Sequence, residues 1–96
     1  MKMLIVVYSD ALDDVLVETF KKAGLRGYTK WKQTVGEGTE SEPKLGTHYW
    51  PGTNNVLAAV CTDDEALGLK ETIRVLKAEH PKGGIRTFVL EVTDTV

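Results

Sequence analysis

Two stretches of the chain are apolar at nearly every consecutive position: residues 3–8 (MLIVVY) and residues 55–61 (NVLAAVC). Each is too short for a buried helix and each runs directly into acidic residues, so both read as strands covered on both faces. After the first strand the period changes. Leu12, Val15, Leu16, Phe20 and Ala23 fall on one helical stripe, which Ser9 and Asp10 are placed to cap, Asp13 and Asp14 favour through the helix dipole, and Gly24 is placed to end. After the second strand, Ala66, Leu69, Ile73 and Leu76 form another stripe. Thr62 and Glu65 have the spacing of a capping box at its start, and Pro81 marks its end. Residues 26–36 (RGYTKWKQTVG) predict a strand of mixed polarity suited to a sheet edge, and residues 85–92 (IRTFVLEV) a last strand.

The order is βαββαβ, a double split-βαβ unit. It predicts a single ferredoxin-like α+β domain over residues 1–96, with both helices on one face of a four-stranded antiparallel sheet and strands one and three in its centre. That arrangement leaves a face uncovered. Leu4, Val6 and Tyr8, with Leu57, Ala59 and Cys61, can meet the helices. Met3, Ile5 and Val7, with Val56, Ala58 and Val60, cannot, and no segment remains to cover them. An apolar patch of that size is rarely left in water, so the second face is expected to pack against further copies of the chain.

Charge and composition narrow the partners. A net charge of -2 removes the electrostatic basis for nucleic acid binding. No apolar run is long enough to insert in a membrane, and the N-terminal apolar stretch is too short for a secretory signal. The single cysteine, Cys61, lies in an apolar strand, which predicts a buried reduced thiol and a cytoplasmic location.

Several pieces, in this order along the chain, resemble the PII signal-transduction family and its PII-like relatives: LDDV (residues 12–15), AGLRGYT (23–29), GEG (36–38), DD (63–64) and FVLEV (88–92). The resemblance implies a homotrimer with inward-facing sheets and a regulatory role, as in nitrogen regulation. It implies adenine nucleotides (ATP, ADP or AMP) as regulatory ligands, with no resident cofactor. The nucleotides are expected in clefts between subunits, and a long T-loop after strand two is expected to engage a protein target such as a transporter or an enzyme. On this resemblance Thr29 stands beside the base, Gly36 and Gly38 form the loop base, and Gly83, Gly84 and Arg86 correspond to the glycine-rich B-loop before the last strand. Glycines let backbone amides approach a phosphate, and a nearby cation adds complementary charge.

The chain departs from the family pattern in places. Its two B-loop glycines are adjacent, the aspartate there is absent, and Arg86 replaces a lysine. Thr39 and Glu40 stand where arginine and glutamine are usual, and up to Val96 no basic C-terminal segment appears. One extra residue between Thr29 and Gly36 calls for a bulge, or for shifting the correspondence by one residue on one side. The loop over residues 36–55 is shorter than a full T-loop, Tyr49 lies too near the returning strand to be a modified tyrosine, and Tyr49 and Trp50 are expected to pack back on the body. It is still far longer than a hairpin between neighbouring strands requires, which points to a role.

Two other readings remain open. His48 and His80, with Cys61 or acids such as Glu37, Glu40 and Glu42, could meet across chains in a metal-handling trimer of the CutA type. His80 is more simply a cation at a helix end, and GG after Pro81 could be a plain turn. The other is an interaction module without a small ligand. An enzyme is not expected. The acidic turn after strand one lacks the phosphate-gripping arginine of an acylphosphatase, and no nucleophile has a base beside it.

Overall fold

The computed structural model describes residues 1–39, 43–48 and 52–96. Its elements are β1 (Lys2–Ser9), a 3-10 turn (Asp10–Leu12), α1 (Asp13–Lys22), β2 (Thr29–Thr34), β3 (Asn54–Cys61), α2 (Asp63–Glu79) and β4 (Arg86–Glu91). The strands form one antiparallel sheet in the order β2-β3-β1-β4, the ferredoxin-like arrangement, with the two most apolar strands in the centre.

Alternation divides the central strands as their sequences require. Leu4, Val6 and Tyr8 of β1 and Leu57, Ala59 and Cys61 of β3 are buried beneath the helices. They pack with Leu16 and Phe20 of α1 and with Ala66, Leu69, Ile73 and Leu76 of α2 in a single cluster. α2 begins with the expected capping box. The Thr62 hydroxyl accepts from the Glu65 amide at 3.1 Å, and the Glu65 carboxylate accepts from the Thr62 amide at 2.9 Å.

α1 departs from expectation at its start and in the width of its stripe. Its first turn is wound as 3-10, and neither Ser9 nor Leu12 makes a side-chain cap. The Asp10 carboxylate instead accepts from the Thr53 hydroxyl on the segment entering β3. Leu16 and Phe20, one turn apart, carry the burial. Leu12 and Val17 are partly buried, whereas Val15 (44% exposed) and Ala23 lie toward solvent. The helix end is as expected. Gly24 takes a φ of 101°, which lets the Leu25 amide return to the Phe20 carbonyl (3.0 Å) and the Gly24 amide to that of Lys21 (3.1 Å), closing a Schellman motif over buried Leu25.

The other sheet face is open, and its register makes it continuous. One rung runs Trp31, Val56, Val7, Arg86, the next Thr29, Ala58, Ile5, Phe88, and a third Val60, Met3, Leu90. Trp31 and Phe88 are each 53% exposed. Among the described residues no helix is long and apolar enough to cross a membrane.

Candidate functional site

The loop grows from a distortion at the end of β2. Register shifts between Trp31 and Thr34, and Gln33 adopts a φ of 56°, which is costly for a residue with a Cβ. This is the bulge that the extra residue called for. The Gln33 amide is held by the Asn55 side-chain oxygen (3.2 Å), and the Thr34 hydroxyl donates to the Asn54 carbonyl (2.8 Å). Beyond it Gly36 and Lys44 exchange both backbone hydrogen bonds, at 2.7 and 2.8 Å, and the Gly46 amide donates to the Gly52 carbonyl at 3.2 Å. The described part of the loop is thus closed on itself twice. Glu40, Glu42, Tyr49 and Trp50, for which acidic and packing roles were expected, lie outside the described residues.

A polar hub that sequence reasoning missed sits beneath this base. Asp13 was expected only to favour the helix dipole. Its Oδ1 accepts from the Tyr8 hydroxyl (2.6 Å) and the Asn55 side-chain amide (3.0 Å), and its Oδ2 from the Lys30 ammonium (2.7 Å). Tyr8 is wholly buried and Asn55 is 4% exposed. Burial opposes the charge on Asp13, but the hydrogen bonds from Lys30, Tyr8 and Asn55 outweigh it and hold the carboxyl below its ordinary range. Burial first, and then the bond to the carboxylate, push the Tyr8 hydroxyl well up, so it stays a donor. The bond to Asp13 raises the Lys30 ammonium against a smaller cost of burial. One signal in the sequence could have found the hub: alternation with Leu57, Ala59 and Cys61 places Asn55 on the covered face, where a polar side chain needs partners.

The glycine turn lies across the sheet from the loop. Gly83 is buried, its amide donates to the His80 carbonyl, and its carbonyl accepts from the Ser9 amide, each at 2.9 Å. The Gly83 amide is therefore committed to the turn. A Cβ added there would lie 2.3 Å from Leu12 Cδ1 and 3.1 Å from the His80 carbonyl oxygen, so a side chain at this position displaces Leu12. Gly84, with a φ of 63°, is exposed. Arg86 opens β4 beside Val7 on the rung that ends in Trp31.

One chain does not bring the six residues together. Gly36 and Gly38 leave the sheet at the same end as Gly83, Gly84 and Arg86, but from opposite edges, since β3 and β1 lie between β2 and β4. Thr29 is on the open face and two residues further down its strand, so strand spacing puts its backbone about 16 Å from that of Arg86. A cleft of about 320 Å³ between the start of α1 and the bulge is lined by Asp10, Ala11, Asp13, Asp14, Lys32, Gln33 and Asn55, and by none of the six. Among the described residues no group of three or more His, Cys, Asp and Glu could hold a metal ion. His80 caps the C-terminus of α2, its amide bonded to the Leu76 carbonyl. Cys61 is buried and free, and burial, with Glu65 nearby, raises its thiol.

The family model for nitrogen regulatory protein P-II matches residues 1–96. No curated protein matches the chain in sequence. Among solved structures, a PII-like signaling protein of Thermus thermophilus is 27% identical, with a TM-score of 0.65 over 95% of this chain and 85% of its own. CPII of Thiomonas intermedia, bound to ADP and bicarbonate, is 18% identical, with a TM-score of 0.73 over 97% of this chain and 88% of its own. The apo form of CPII is 16% identical, with a TM-score of 0.67 over 95% and 89%. At those identities the CPII comparison concerns the fold.

Proposed function

The chain belongs to the nitrogen regulatory protein P-II family, and from that premise we propose that it is a homotrimeric regulatory protein rather than an enzyme. It takes an adenine nucleotide in clefts between subunits and acts through residues 36–55 on a partner protein, in the cytoplasm. One observation carries this reading. The residues expected at the ligand lie on opposite edges of one sheet whose apolar face is uncovered, so a second copy packed on that face supplies what one chain lacks.

The chemistry divides accordingly. Arg86 and the backbone at Gly84 offer cationic and polar contacts for phosphate on the β4 edge. Thr29, from the β2 edge of a neighbouring copy, offers a hydroxyl for the base or sugar. Gly36 and Gly38 allow the loop base to approach, and Gly83 serves the turn by making room for Leu12. The bound ADP of CPII, a protein of the same fold, supports the nucleotide class.

The test is calorimetry with ATP, ADP and AMP on a preparation whose mass has been fixed by sedimentation. Binding of at least one nucleotide by a trimer, weakened by Arg86→Ala and by Thr29→Val, is the expected result. A monomer at micromolar concentration, or no heat from any of the three, overturns it.

A further inference from the structure

The glycine turn and the loop base are joined by the first residues after β1. The Ser9 amide donates to the Gly83 carbonyl at 2.9 Å, and the next amide, that of Asp10, donates to the Thr53 carbonyl at 3.1 Å. The Asp10 carboxylate also takes the Thr53 hydroxyl. Leu12 Cδ1 sits against Gly83, in the space that a side chain would need. One residue further, Asp13 holds Asn55, and Asn55 holds the amide of Gln33 in the bulge. This run of five residues thus touches both features that the sheet order separates.

We propose that residues 9–13 are a coupling element, in which Ser9 and Leu12 follow the glycine turn while Asp10 and Asp13 set the position of the loop base. In this role they are positioning residues. The physical requirement for such coupling is a contiguous connection that both sites bias. Here each link is a hydrogen bond or a direct packing contact. Moving the Gly83 carbonyl draws on the Ser9 amide, and the peptide that follows carries the Asp10 amide and its bond to Thr53. The inference rests on the nucleotide reading only for what occupies the glycine turn; the connection itself is present in the chain without ligand.

Asp10→Pro cuts the arm of the connection that passes through Thr53 with little conformational strain, and leaves the arm through Leu12, Asp13 and Asn55 in place. Proline has no amide to give Thr53, and it removes the carboxylate as well. Ser9, at φ -59° and ψ 135°, already has the conformation that a following proline demands, and residue 10 opens a helical turn. Gly83→Ala perturbs the other end by driving a Cβ against Leu12.

The measurement is amide hydrogen exchange by NMR on the full chain without nucleotide, read at Gly46, whose acceptor Gly52 adjoins Thr53, and at Gly36, which pairs with Lys44 on the same returning segment. Gly83→Ala is expected to speed both amides at least about fivefold in the wild-type background and less than about twofold in the Asp10→Pro background, the non-additivity that marks connected sites. Equal acceleration in both backgrounds, or no change at either amide, overturns the proposal. Should Gly83→Ala not fold, Leu12→Ala, which withdraws the contact with Gly83, takes its place with the same expected and refuting results. ADP calorimetry on the wild type separately decides the ligand: its failure removes the nucleotide and leaves the exchange result standing.

Discussion

Asp13 and Asp14 are neighbours at the start of α1 and look equivalent in the sequence, yet the structure assigns them unequal weight. Replacing Asp13 by alanine leaves two buried donors without an acceptor, the Tyr8 hydroxyl and the Asn55 side-chain amide. Each stranded donor costs about 1–3 kcal/mol. The Lys30 ammonium, on a side chain 17% exposed, loses its ion partner as well. A total loss of about 3–4 kcal/mol is expected, which for a domain of this size lowers Tm by about 15–20 °C. Asp14 is exposed, and Asp14→Ala should cost only its share of the helix dipole, about 0.3–1 kcal/mol. Urea denaturation followed by circular dichroism, at one fixed protomer concentration so that assembly contributes equally, measures both variants. Losses equal within about 0.5 kcal/mol would refute the hub, because the helix dipole alone predicts equality.

The same carboxyl sets a pH dependence. Its folded pKa lies below the unfolded value of about 4, so its stabilisation is present above that value and is lost as pH falls through the depressed folded one; the urea midpoint should drop as pH is lowered below about 4, and less steeply in Asp13→Asn. Thr62→Ala removes one half of the α2 capping box and should cost about 1 kcal/mol in the same urea assay, with loss below about 0.3 kcal/mol counting against the box. Under the proposed function, Phe88→Asp places a charge on a residue half exposed in the single chain, so the fold should survive while packing of further copies on the open face is lost; sedimentation should show a monomer, and a trimer would place the subunit contact elsewhere.

What was legible in the sequence follows from which signals are local. β1, β3 and α2 are visible because uninterrupted apolar runs and a capping box have few alternative explanations. The open face follows from simple alternation once the helices are counted. The bulge was legible as one surplus residue between Thr29 and Gly36. The Asp13 hub was not, because an acidic pair at a helix start is fully accounted for by the dipole, and its partners Lys30 and Asn55 are 17 and 42 residues away in sequence. The exposure of Val15 and Ala23 had a similar origin: the 3-10 turn and the glycine end set the phase of α1, and the apolar spacing alone does not reveal them. The pairing of Gly36 with Lys44 gave no signal, since it rests on backbone groups that every residue carries.

That pairing bears on how a short loop could signal. Residues 36–55 number 20, and fixing each backbone from a free chain costs about 1–2 kcal/mol, or about 20–40 kcal/mol for the whole segment. A ligand of micromolar affinity supplies about 8 kcal/mol in total. Ordering the entire segment from a free chain therefore lies beyond such a ligand acting alone. The Gly36 and Lys44 exchange, the Gly46 to Gly52 bond and the Asn55 hold on Gln33 already fix much of the described loop in the single chain. Under the proposed function, little ordering of the described loop residues remains for the ligand to drive. The response within reach is a displacement of an already closed loop about its base, and the residues that set that base, Asp10 and Asp13 through Thr53 and Asn55, become the place where a modest binding energy is enough.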